Sequence, residues 1–493
     1  MKMLQKSVPI NKLGAELKIS LSADNQRLGL LSSIDGDQLI SLILQPATGQ
    51  TELWTSPLDK SSYNSLTAVL PQVHWFERVN WDMFGILPEN HPRLKPVLLH
   101  EPYAKDFFPL RTTETPHSST FRTPEQYQFL QVRGEGVYEI PVGPIHASVI
   151  EPGHFRFSCL GESIVNLELQ LGWLHRGVEK RITEVPWQKA RFVAESAASD
   201  TAIGNSLAHA IAIESLFDVE VTPAANSMRT LALEIERAAM HIIDIGGAAH
   251  DLGFLGISSS MSRLRGKALA LGQALTGTRI QRFYVIPGGV RNDSRGEYPE
   301  INKAVRILYE ELKPVIAMFE ENQSASERME VGRISRSLAQ DFGMVGIIAR
   351  ACGLPYDARQ HFKHGNFPEL APPVSVETSG DILGRTRVRI AELWRSLDLI
   401  ETETREIPGG ETNIILPDAL PADAIGVAIV EAFRGELIHL LFTDSNGNIK
   451  RYAIKDPSFT NWTAISVAIR NNLIADFPLC NKSMALSYSG NDL

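Results

Sequence analysis

Residues 134–180 constrain the fold more than any other stretch, because they pass from a β pattern to a charged, helix-like pattern within one segment. Residues 154–160 and 164–171 alternate apolar and polar side chains, as half-buried strands do. The dipeptides Gly143-Pro144 and Pro152-Gly153 are turn signals. Charged side chains then follow, and in a helix they pair one turn apart: His175 with Glu179, and Arg176 with Lys180. The stretch predicts β-hairpins followed by a charged segment that caps a core or faces a partner protein.

The composition is that of an ordinary globular protein. The 493 residues are 43% hydrophobic and 21% charged, which is enough for two or more domains with real cores. The net charge of −9 argues against a general nucleic-acid binder, which is normally basic. No apolar run reaches the roughly 18 residues that a membrane-spanning helix needs, and residues 1–21 lack the apolar core of a secretion signal.

The three cysteines lie far apart and form no CxxC pair, so they indicate free thiols in a reducing compartment: Cys159, Cys352 and Cys480. Other motifs with a known chemistry are also missing from the sequence. There is no GxGxxG after a strand, no phosphate-binding GxxxxGK, no HExxH and no GxSxG. A nucleotide site in this chain therefore has no support, and any oxidation of NADH or ferredoxin is expected on another subunit.

Patterning divides the chain into two domains. Residues 37–44 read as a strand that pairs with 49–54, and residues 65–84 read as a helix that Pro71 should interrupt or restart. Residues 112–124 are rich in Ser, Thr and Pro and predict a linker. We therefore predict domains at 1–111 and 125–493.

The second domain is predicted to be mostly helical after its opening hairpins. Residues 230–246 carry an apolar stripe and a polar stripe formed by Glu234, Arg237, His241 and Asp244, so this helix should lie between a core and either solvent or a charged partner. Residues 303–320, 331–351 and 384–400 are further predicted helices, and 284–290 is an apolar, strand-like run that ends in a Gly turn. Asn446-Gly447 predicts a β-hairpin between 436–442 and 449–455.

These motifs carry a family resemblance. Residues 143–157 (GPIHASVIEPGHFRF) and 172–180 (GWLHRGVEK) resemble the large subunit of membrane-bound [NiFe] hydrogenases of the hydrogenase-4 and formate hydrogenlyase type, and the related 49-kDa subunit of respiratory complex I. Residues 77–85 (ERVNWDMFG) resemble the 30-kDa subunit of complex I. The resemblance implies an α+β fold class: a small N-terminal α/β sandwich-like domain, then a large, mostly helical domain of the hydrogenase large-subunit type with peripheral β-hairpins.

The resemblance also implies where the chemistry of such a protein should lie. A [NiFe] centre needs four soft thiolates, but Ala198 and Thr201 occupy the positions of the first cysteine pair, and Cys480 is left alone near the end of the chain. We therefore expect no metal centre and dismiss hydrogen chemistry. In the complex I relatives a histidine and a tyrosine bind quinone and an aspartate supports the histidine; these positions fall near Pro152 and Phe192 and on Asp251, so that only the aspartate is kept.

Candidate site residues follow from this resemblance. Asp251, His146 and His154 are candidates for a cavity with a proton-relay role, although the two histidines have the simpler alternative of packing a loop. Candidate interface residues are His175, Arg176, Glu179, Lys180, Arg237 and His241. Each has the alternative of a structural role, and a single buried histidine such as His241 more often has that role.

Two functions remain open at this point. The first is a peripheral-arm subunit of a membrane-bound, complex I-like or hydrogenase-4-like oxidoreductase complex that couples electron transfer to ion translocation without its own [NiFe] centre. The second is a non-catalytic scaffold between an iron–sulphur subunit and membrane ion-translocating subunits. The resemblance further implies a 20-kDa-like iron–sulphur partner, a ferredoxin-like partner, [4Fe-4S] clusters and NAD on partner subunits, and a quinone as a candidate ligand. It implies the cytoplasmic face of a bacterial or archaeal inner membrane.

Overall fold

The computed structural model describes residues 3–22, 26–100, 103–112, 127–147 and 150–493. Of the predicted linker 112–124, only Thr112 belongs to these residues, and the two domain boundaries remain predictions. No helix in the described part of the chain is long and apolar enough to cross a membrane.

The N-terminal region is a four-stranded sheet with helices against it. Its strands are β1 (Met3–Ser7), β2 (Arg27–Ser33), β3 (Gln38–Gln45) and β4 (Gln50–Pro57), in the order β1-β4-β3-β2. β1 runs parallel to β4, and the other neighbours are antiparallel. The predicted pairing of 37–44 with 49–54 is confirmed as β3 with β4. Helix α1 (Ile10–Ser22) buries Leu13 and Leu17.

The predicted helix 65–84 is correct only in its second half. Helix α2 (His74–Phe84) follows a 3-10 turn in which Pro71 is the first residue, and strands β5 (Ser62–Asn64) and β6 (Leu87–Glu89) flank it. Residues 65–67 instead wrap around the buried carboxylate of Glu77, which accepts hydrogen bonds from Ser65 Oγ, Leu66 N and Thr67 Oγ1 at 2.6–2.7 Å. These bonds compete with helical hydrogen bonding, and hence the helix begins only after Pro71.

The second region opens with an antiparallel three-stranded sheet. Its strands are β7 (Val137–Val142), β8 (His154–Leu160) and β9 (Ser163–Gln170), which confirms the predicted hairpins. Helix α3 (Val178–Glu184) begins after Gly177, whose φ of 63° lies in the left-handed region. His175 and Arg176 therefore lie before the helix begins. They do not pair one turn apart with Glu179 and Lys180, because that pairing requires all four residues to be in one helix.

A bundle of helices follows the sheet. Its members are α4 (Trp187–Glu195), α5 (Ala202–Phe217), α6 (Pro223–Asp251), α7 (Leu255–Thr276), α8 (Tyr298–Glu320), α9 (Gln323–Met329), α10 (Arg336–Asp341), α11 (Gly346–Ala351) and α12 (Ile382–Glu403). The 29-residue helix α6 packs against α7 on one side and α12 on the other. It contains the predicted helix 230–246, and α8 and α12 contain the predicted helices 303–320 and 384–400.

One prediction in this bundle is wrong, and the prediction for 284–290 is correct only in part, because the Gly turn is present but the strand is short. Residues 331–351 are not one helix but α10 and α11, because Gly343 and Gly346 both adopt positive φ and break the helical path between them. Residues 284–290 form only the two-residue strands β10 (Val285–Ile286) and β11 (Gly289–Val290), since Gly288 turns the chain back on itself.

The C-terminal part adds a second three-stranded sheet. Strands β12 (Ile425–Ala432), β13 (Gly435–Thr443) and β14 (Ile449–Lys455) are antiparallel neighbours in that order, which confirms the predicted hairpin around Asn446-Gly447. Helices α13 (Pro457–Ala468), α14 (Phe477–Met484) and α15 (Tyr488–Asn491) close the chain. The α+β fold class is confirmed.

Polar contacts join the N-terminal sheet to the rest of the molecule. The Arg451 guanidinium on β14 donates to Ser33 O at 3.1 Å and to Ser32 Oγ at 3.0 Å, and it pairs with Glu179 at 2.9 Å. Thr463 on α13 accepts a hydrogen bond from Trp75 Nε1 at 2.8 Å. The strand β2 and the helix α2 are thereby tied to β14 and α13.

Candidate functional site

Two polar stripes meet where α6 crosses α12. The stripe on α6 consists of Glu234, Arg237, His241 and Asp244, at spacings of 3, 4 and 3, so all four lie on one face of the helix. The facing stripe on α12 consists of Arg389 and Glu392. We call these six residues the charged seam. Five of the six are at most 3% exposed, and the Asp244 side chain is 18% exposed.

The seam is held by a run of ion pairs. Glu392 Oε2 lies 2.5 Å from Arg237 Nη2 and 3.5 Å from His241 Nε2. Asp244 lies 2.6 Å from Arg389 Nη1. Arg237 Nε lies 3.5 Å from Glu234, and Arg237 Nη1 donates to Ala432 O at 2.7 Å. At 1.5 Å per residue the α6 stripe extends over about 15 Å, so the seam is an elongated row of charge inside the bundle.

Side chains from the second half of the chain extend the seam. Arg350 on α11 pairs with Glu392 at 2.7 Å and with Glu431 on β12 at 2.8 Å. Arg359 pairs with Asp357 at 2.7 Å and with Glu234 at 3.1 Å. All of these groups are at most 2% exposed. Buried charges are costly unless they are paired, and here every carboxylate faces at least one guanidinium.

The electrostatics of the seam separate its carboxylates. Burial opposes ionisation of Glu392, but Arg350, His241 and Arg237 together hold its pKa well below the usual range. Burial raises the pKa of Glu431 to about 7, with Asp357 acting in the same direction and Arg350 against it. Burial also raises the pKa of Asp244, although Arg389 opposes the shift. The row and its extension therefore contain a firmly ionised acid, Glu392, and an acid that is able to take up a proton near neutral pH, Glu431.

Replacing His241 by glutamine should make the protein less sensitive to acid. Burial lowers the pKa of His241 to about 4; Arg237 and Arg389 lower it further, and Glu392 opposes the shift. A histidine in the unfolded chain has a pKa of ~6.5. A lowered histidine pKa contributes stability above pH ~6.5 that is lost as the pH falls toward the folded-state value, because only the unfolded chain then binds the proton. From about pH 7 to about pH 4.5 the wild type should lose about 2 kcal/mol more of its free energy of unfolding than His241→Gln, measured by urea denaturation at each pH.

The matched control is His250→Gln. Its side chain is 61% exposed, so this variant should keep the acid sensitivity of the wild type. An acid sensitivity of His241→Gln equal to that of His250→Gln would contradict the assignment of His241 as a buried neutral histidine.

The positions of the first cysteine pair of the resembled hydrogenases are closed. Ala198 and Thr201 are at most 1% exposed. Thr201 Oγ1 accepts a hydrogen bond from Arg434 Nη1 at 3.1 Å, and Arg434 pairs with Asp200 at 2.7 Å. Burial opposes ionisation of Asp200, but Arg434 holds its pKa below the usual range. An ion pair therefore occupies this place, and neither side chain offers a thiolate.

The C-terminal segment closes the same place from the other side. Arg434 Nε donates to Ala485 O, and Ser487 Oγ accepts from Gly490 N at 2.9 Å. A Cβ on Gly490 would lie 2.6 Å from the carboxylate carbon of the buried Asp456, so no larger residue fits there. The residues present do not fit a metal pair held by thiolates, because both their donor atoms and the free space are wrong for it.

Cys480 lies in a different environment. It is buried on α14 with Sγ 3.8 Å from Arg385 Nη2, and burial raises the pKa of its thiol to about 11. The side chain of Cys480 contacts Arg385 of α12 and lies beside Gly332, whereas the Thr201 hydroxyl contacts Arg434 and Asp200. The assignment of Cys480 to the second cysteine site, where it is left alone, stays a prediction.

Asp251 ends α6 beside an open cleft of about 470 Å³. Asp251 Oδ1 lies 2.5 Å from Lys482 Nζ, while Oδ2 is buried and has no hydrogen-bond partner among the described residues. The polar side chains that line the cleft besides Asp251 are Arg328 and Asp476, with no histidine or tyrosine among the described lining residues. The cleft thus retains the aspartate of the quinone-binding relatives without the two hydrogen-bond donors, and these residues do not fit that quinone site.

The two other cavity candidates lie around the β7–β8 loop. His154 is 8% exposed and its Nδ1 donates to Gly143 O at 3.2 Å, whereas its Nε2 has no described partner. His146 Nε2 lies 3.4 Å from Tyr488 Oη. Burial lowers the pKa of both histidines. Their described partners do not include Asp251, so the three cavity candidates are not joined by direct contacts.

The predicted interface residues separate into two groups. Arg237 and His241 lie inside the charged seam and are fully buried. Arg176 is exposed and donates to Ser196 O and Ala197 O at 3.0 and 2.9 Å, and Glu179 binds Arg451 and Ile454 N. His175 has a buried Nδ1 and Lys180 is half-buried. Glu179 therefore joins parts of this chain, while Arg176 and Lys180 remain accessible to a partner.

Several functional residues in and around the seam could not be predicted from the sequence. Arg350, Glu392, Glu431 and Arg434 come from segments that are up to about two hundred residues away from α6 along the chain. None of these four carries a local signal in the sequence, because only their tertiary partners distinguish them from surface charges. Glu392 precedes Leu393 of the apolar stripe, but successive residues of a helix do not face the same side.

Comparisons with known proteins agree with this architecture. The family model of the 49-kDa subunit of respiratory-chain NADH dehydrogenase matches residues 251–424 and 417–492, and that of the 30-kDa subunit matches residues 32–119. Formate hydrogenlyase subunit 5 of Escherichia coli (strain K12) is 26% identical, over 98% of this chain and 85% of its own length. The membrane-bound hydrogenase subunit alpha of Pyrococcus furiosus is 30% identical, over 69% of this chain and 83% of its own length.

A solved structure shows the same likeness. A chain of the membrane-bound sulfane sulfur reductase, an archaeal respiratory membrane complex, superposes with a TM-score of 0.69 at 27% identity. The match covers 73% of this chain and 99% of the other. The resemblance read from the sequence is therefore confirmed at the level of both sequence and fold.

Proposed function

Because this chain belongs to the family of the 49-kDa subunit of respiratory-chain NADH dehydrogenase and the large subunits of membrane-bound hydrogenases, we propose that it is a peripheral subunit of a membrane-bound oxidoreductase complex of that kind. Its role there is to couple electron transfer on neighbouring subunits to ion movement. The partners are an iron–sulphur subunit, a ferredoxin-like subunit and membrane ion-translocating subunits, and the chain lies on the cytoplasmic face of the membrane. The [4Fe-4S] clusters and any NAD belong to those partners.

The charged seam is the observation that carries the coupling role. A row of buried ion pairs contributes little net stability, since the loss of hydration offsets most of the attraction between the charges. Its value lies in its response to charge, because a change at one pair shifts the proton affinity of the next. The seam runs from Glu234 to Asp244, and the short segment Asp244–Asp251 of α6 continues it toward the cleft.

The closed place at Thr201 supports coupling rather than metal chemistry. Arg434, Asp200 and Asp456 fill the space between the segment around Thr201 and the C-terminal segment, and the side chains of both segments supply no thiolate. Arg434 joins these two segments, because it pairs with Asp200 and also donates from Nε to Ala485 O. In this proposal the pair passes mechanical and electrostatic changes between them.

Asp244→Asn should uncouple the complex. Asp244 forms the least buried end of the seam, and removing its charge leaves Arg389 without its carboxylate partner. We expect the number of ions moved per electron to fall at least fivefold, with electron transfer changed less than twofold. The assay uses the intact complex in proteoliposomes with reduced methyl viologen as electron donor, offers a short-chain quinone, protons and polysulfide in turn as acceptors, and follows uptake of protons and of sodium.

The control is Glu310→Gln, which breaks a surface pair with Lys313 where the glutamate side chain is 69% exposed. It should leave both rates unchanged. Equal coupling in Asp244→Asn and Glu310→Gln would contradict the coupling role and favour the non-catalytic scaffold. Stoichiometric nickel in the purified complex would contradict the proposal as a whole, and so would purification of the chain from its native cells without membrane or iron–sulphur subunits.

The scaffold is the second candidate, and one observation favours it. Among the described residues of the seam every charge already has a partner within the chain, which is also what a purely structural network requires. A scaffold would tolerate Asp244→Asn in assembly and turnover alike. Quinone analogues test whether the Asp251 cleft binds a quinone. Saturable inhibition of the complex by an analogue, abolished in Asp251→Asn, would place a quinone in that cleft.

A further inference from the structure

A second buried polar chain lies between α5 and the C-terminal sheet, apart from the charged seam. Its members are His209 and Asn205 of α5, His439 of β13 and Tyr452 of β14, and all four are 0% exposed. Tyr452 Oη lies 2.9 Å from His209 Nδ1 and 2.7 Å from His439 Nδ1. His439 Nε2 lies 3.2 Å from Asn205 Oδ1. One tyrosine hydroxyl thus bridges two histidines that no role has yet explained.

The partner atoms determine the direction of every hydrogen bond in this chain. Asn205 Nδ2 donates to Thr201 O at 2.9 Å, and a carbonyl only accepts, so Asn205 Oδ1 must face His439. His439 Nε2 therefore carries the hydrogen and its Nδ1 is a bare acceptor. The Tyr452 hydroxyl donates to that Nδ1, and its oxygen is then free to accept from His209 Nδ1–H. These tautomers follow from the network of partners.

One atom is left over at the His209 end of this hydrogen-bonded chain. His209 Nε2 is a bare acceptor, is fully buried, and has no hydrogen-bond partner among the described residues. An unpaired buried acceptor costs free energy of folding, so a purely structural role does not explain why this nitrogen is left without a partner. At the other end, Asn205 donates a hydrogen bond to Thr201 O, and the Thr201 hydroxyl contacts Arg434, which fills the position of the first cysteine pair described above.

We propose that His209, Tyr452 and His439 form a proton relay that links the α4 side of α5 to the Thr201 segment. A proton binds at His209 Nε2 and His209 releases its Nδ1 hydrogen to Tyr452 Oη. The Tyr452 hydrogen passes to His439 Nδ1, and His439 becomes an imidazolium that donates to Asn205. His209 ends as the neutral Nε2–H tautomer and Tyr452 remains a neutral phenol. One positive charge has moved from His209 to His439, with no electron transferred.

The surroundings keep the relay empty at rest. Burial lowers the pKa of His209 to about 3, with Arg191 of α4 acting in the same direction. Burial also lowers the pKa of His439, with His209 adding to the effect. Glu179 is the charged group that faces Tyr452. The relay therefore carries a proton only when negative charge develops near the Thr201 segment, which is the condition that coupled electron transfer on a neighbouring subunit creates. For its use the relay rests on the proposed function.

The first test is the pair of tautomers. The full chain is labelled with ¹⁵N-histidine, and its ring nitrogens are assigned by long-range ¹H–¹⁵N spectra near neutral pH. We expect a hydrogen on Nδ1 of His209 and on Nε2 of His439, with the other nitrogen of each ring bare. The opposite tautomer at either histidine overturns the relay.

The second test removes the bridging hydroxyl. Tyr452→Phe in the intact complex should lower the protons moved per electron at least fivefold in the proteoliposome assay, because no atom then connects the two histidines. The matched control is Tyr284→Phe, which removes another fully buried hydroxyl with one side-chain partner, Ser294 at 2.6 Å. It should keep the coupling of the wild type, so that loss of a buried hydrogen bond alone is excluded as the cause.

The outcomes separate the two proposals. Coupling in Tyr452→Phe equal to that in Tyr284→Phe, in a complex whose wild type is coupled, overturns the relay and leaves the proposed function intact. A wild-type complex that moves no ions contradicts the proposed function, and the relay with it. Expected tautomers together with a selective loss in Tyr452→Phe support the relay.

Discussion

Arg350→Met should lower the free energy of unfolding by about 3–5 kcal/mol, because it leaves buried carboxylates without their shared cation. Arg350 contacts Glu392 at 2.7 Å and Glu431 at 2.8 Å, and it donates to Tyr356 O at 2.9 Å. Methionine fills much of the same volume, so lost charge rather than lost packing dominates the effect. Urea denaturation followed by circular dichroism measures the change.

The same variant should be more strongly destabilised at high pH. Without Arg350 the pKa of Glu431, already raised to about 7 by burial, rises further. A raised carboxyl pKa contributes stability below the unfolded value that is lost as the pH rises through the folded value. The deficit of Arg350→Met should thus be smaller near pH 6 than near pH 8 (roughly one unit on either side of that pKa).

Arg306→Met is the control for both statements. Arg306 pairs with Glu401 at 3.2 Å on the surface, where its side chain is 58% exposed. Surface pairs of this kind contribute about 0–1 kcal/mol. If Arg350→Met loses no more free energy of unfolding than Arg306→Met, the ion pairs of Arg350 with Glu392 and Glu431 are hydrated or not formed.

Gly346→Ala should be the most damaging glycine-to-alanine substitution in this protein. We expect a loss of about 4 kcal/mol or more in the free energy of unfolding, or failure to fold. Gly346 adopts a φ of 65°, and an added Cβ would lie 1.8 Å from Arg434 O. Relief of that overlap requires the backbone around Arg434 to move, which would break its ion pair with Asp200. Soluble yield and urea denaturation of the full chain measure the result.

Gly266→Ala is the matched change at a permissive position. Gly266 lies inside α7, and an added Cβ meets no atom within 4 Å. Alanine in a helix interior is favoured over glycine by about 0.5–1 kcal/mol, so this variant should be slightly stabilised. A Gly346→Ala protein that folds to within about 1 kcal/mol of the wild type would show that α11 and β13 do not cross as closely as described.

Where the sequence succeeded, local patterns carried the information. The strand pairs β3–β4 and β13–β14 and most of α6, α8 and α12 follow from alternation, helical spacing and one Asn-Gly turn. The prediction failed where a partner beyond the local helical turn overrode local preference. Residues 65–67 wrap around Glu77, and residues 331–351 break because Gly346 passes directly against the backbone of Arg434.

The candidate site shows the same division. The polar stripe of α6 was visible in the sequence, since its four members recur at helical spacing, and the absent cysteines at Ala198 and Thr201 were visible as identities. The partners of that stripe were not visible, because Arg350, Glu392 and Glu431 come from three separate elements. The relay of His209, Tyr452 and His439 was equally hidden.

The sequence alone thus determined the family and the fold class, and it predicts the loss of the thiolate ligands, because motif identity and residue chemistry are local properties. The tertiary structure alone decided what replaced those ligands: the Arg434–Asp200 pair, the buried Asp456 and the glycine that leaves no room beside it. The physical reason is that a buried charge is tolerated only with a partner, and the chain supplies that partner from residues far apart in sequence.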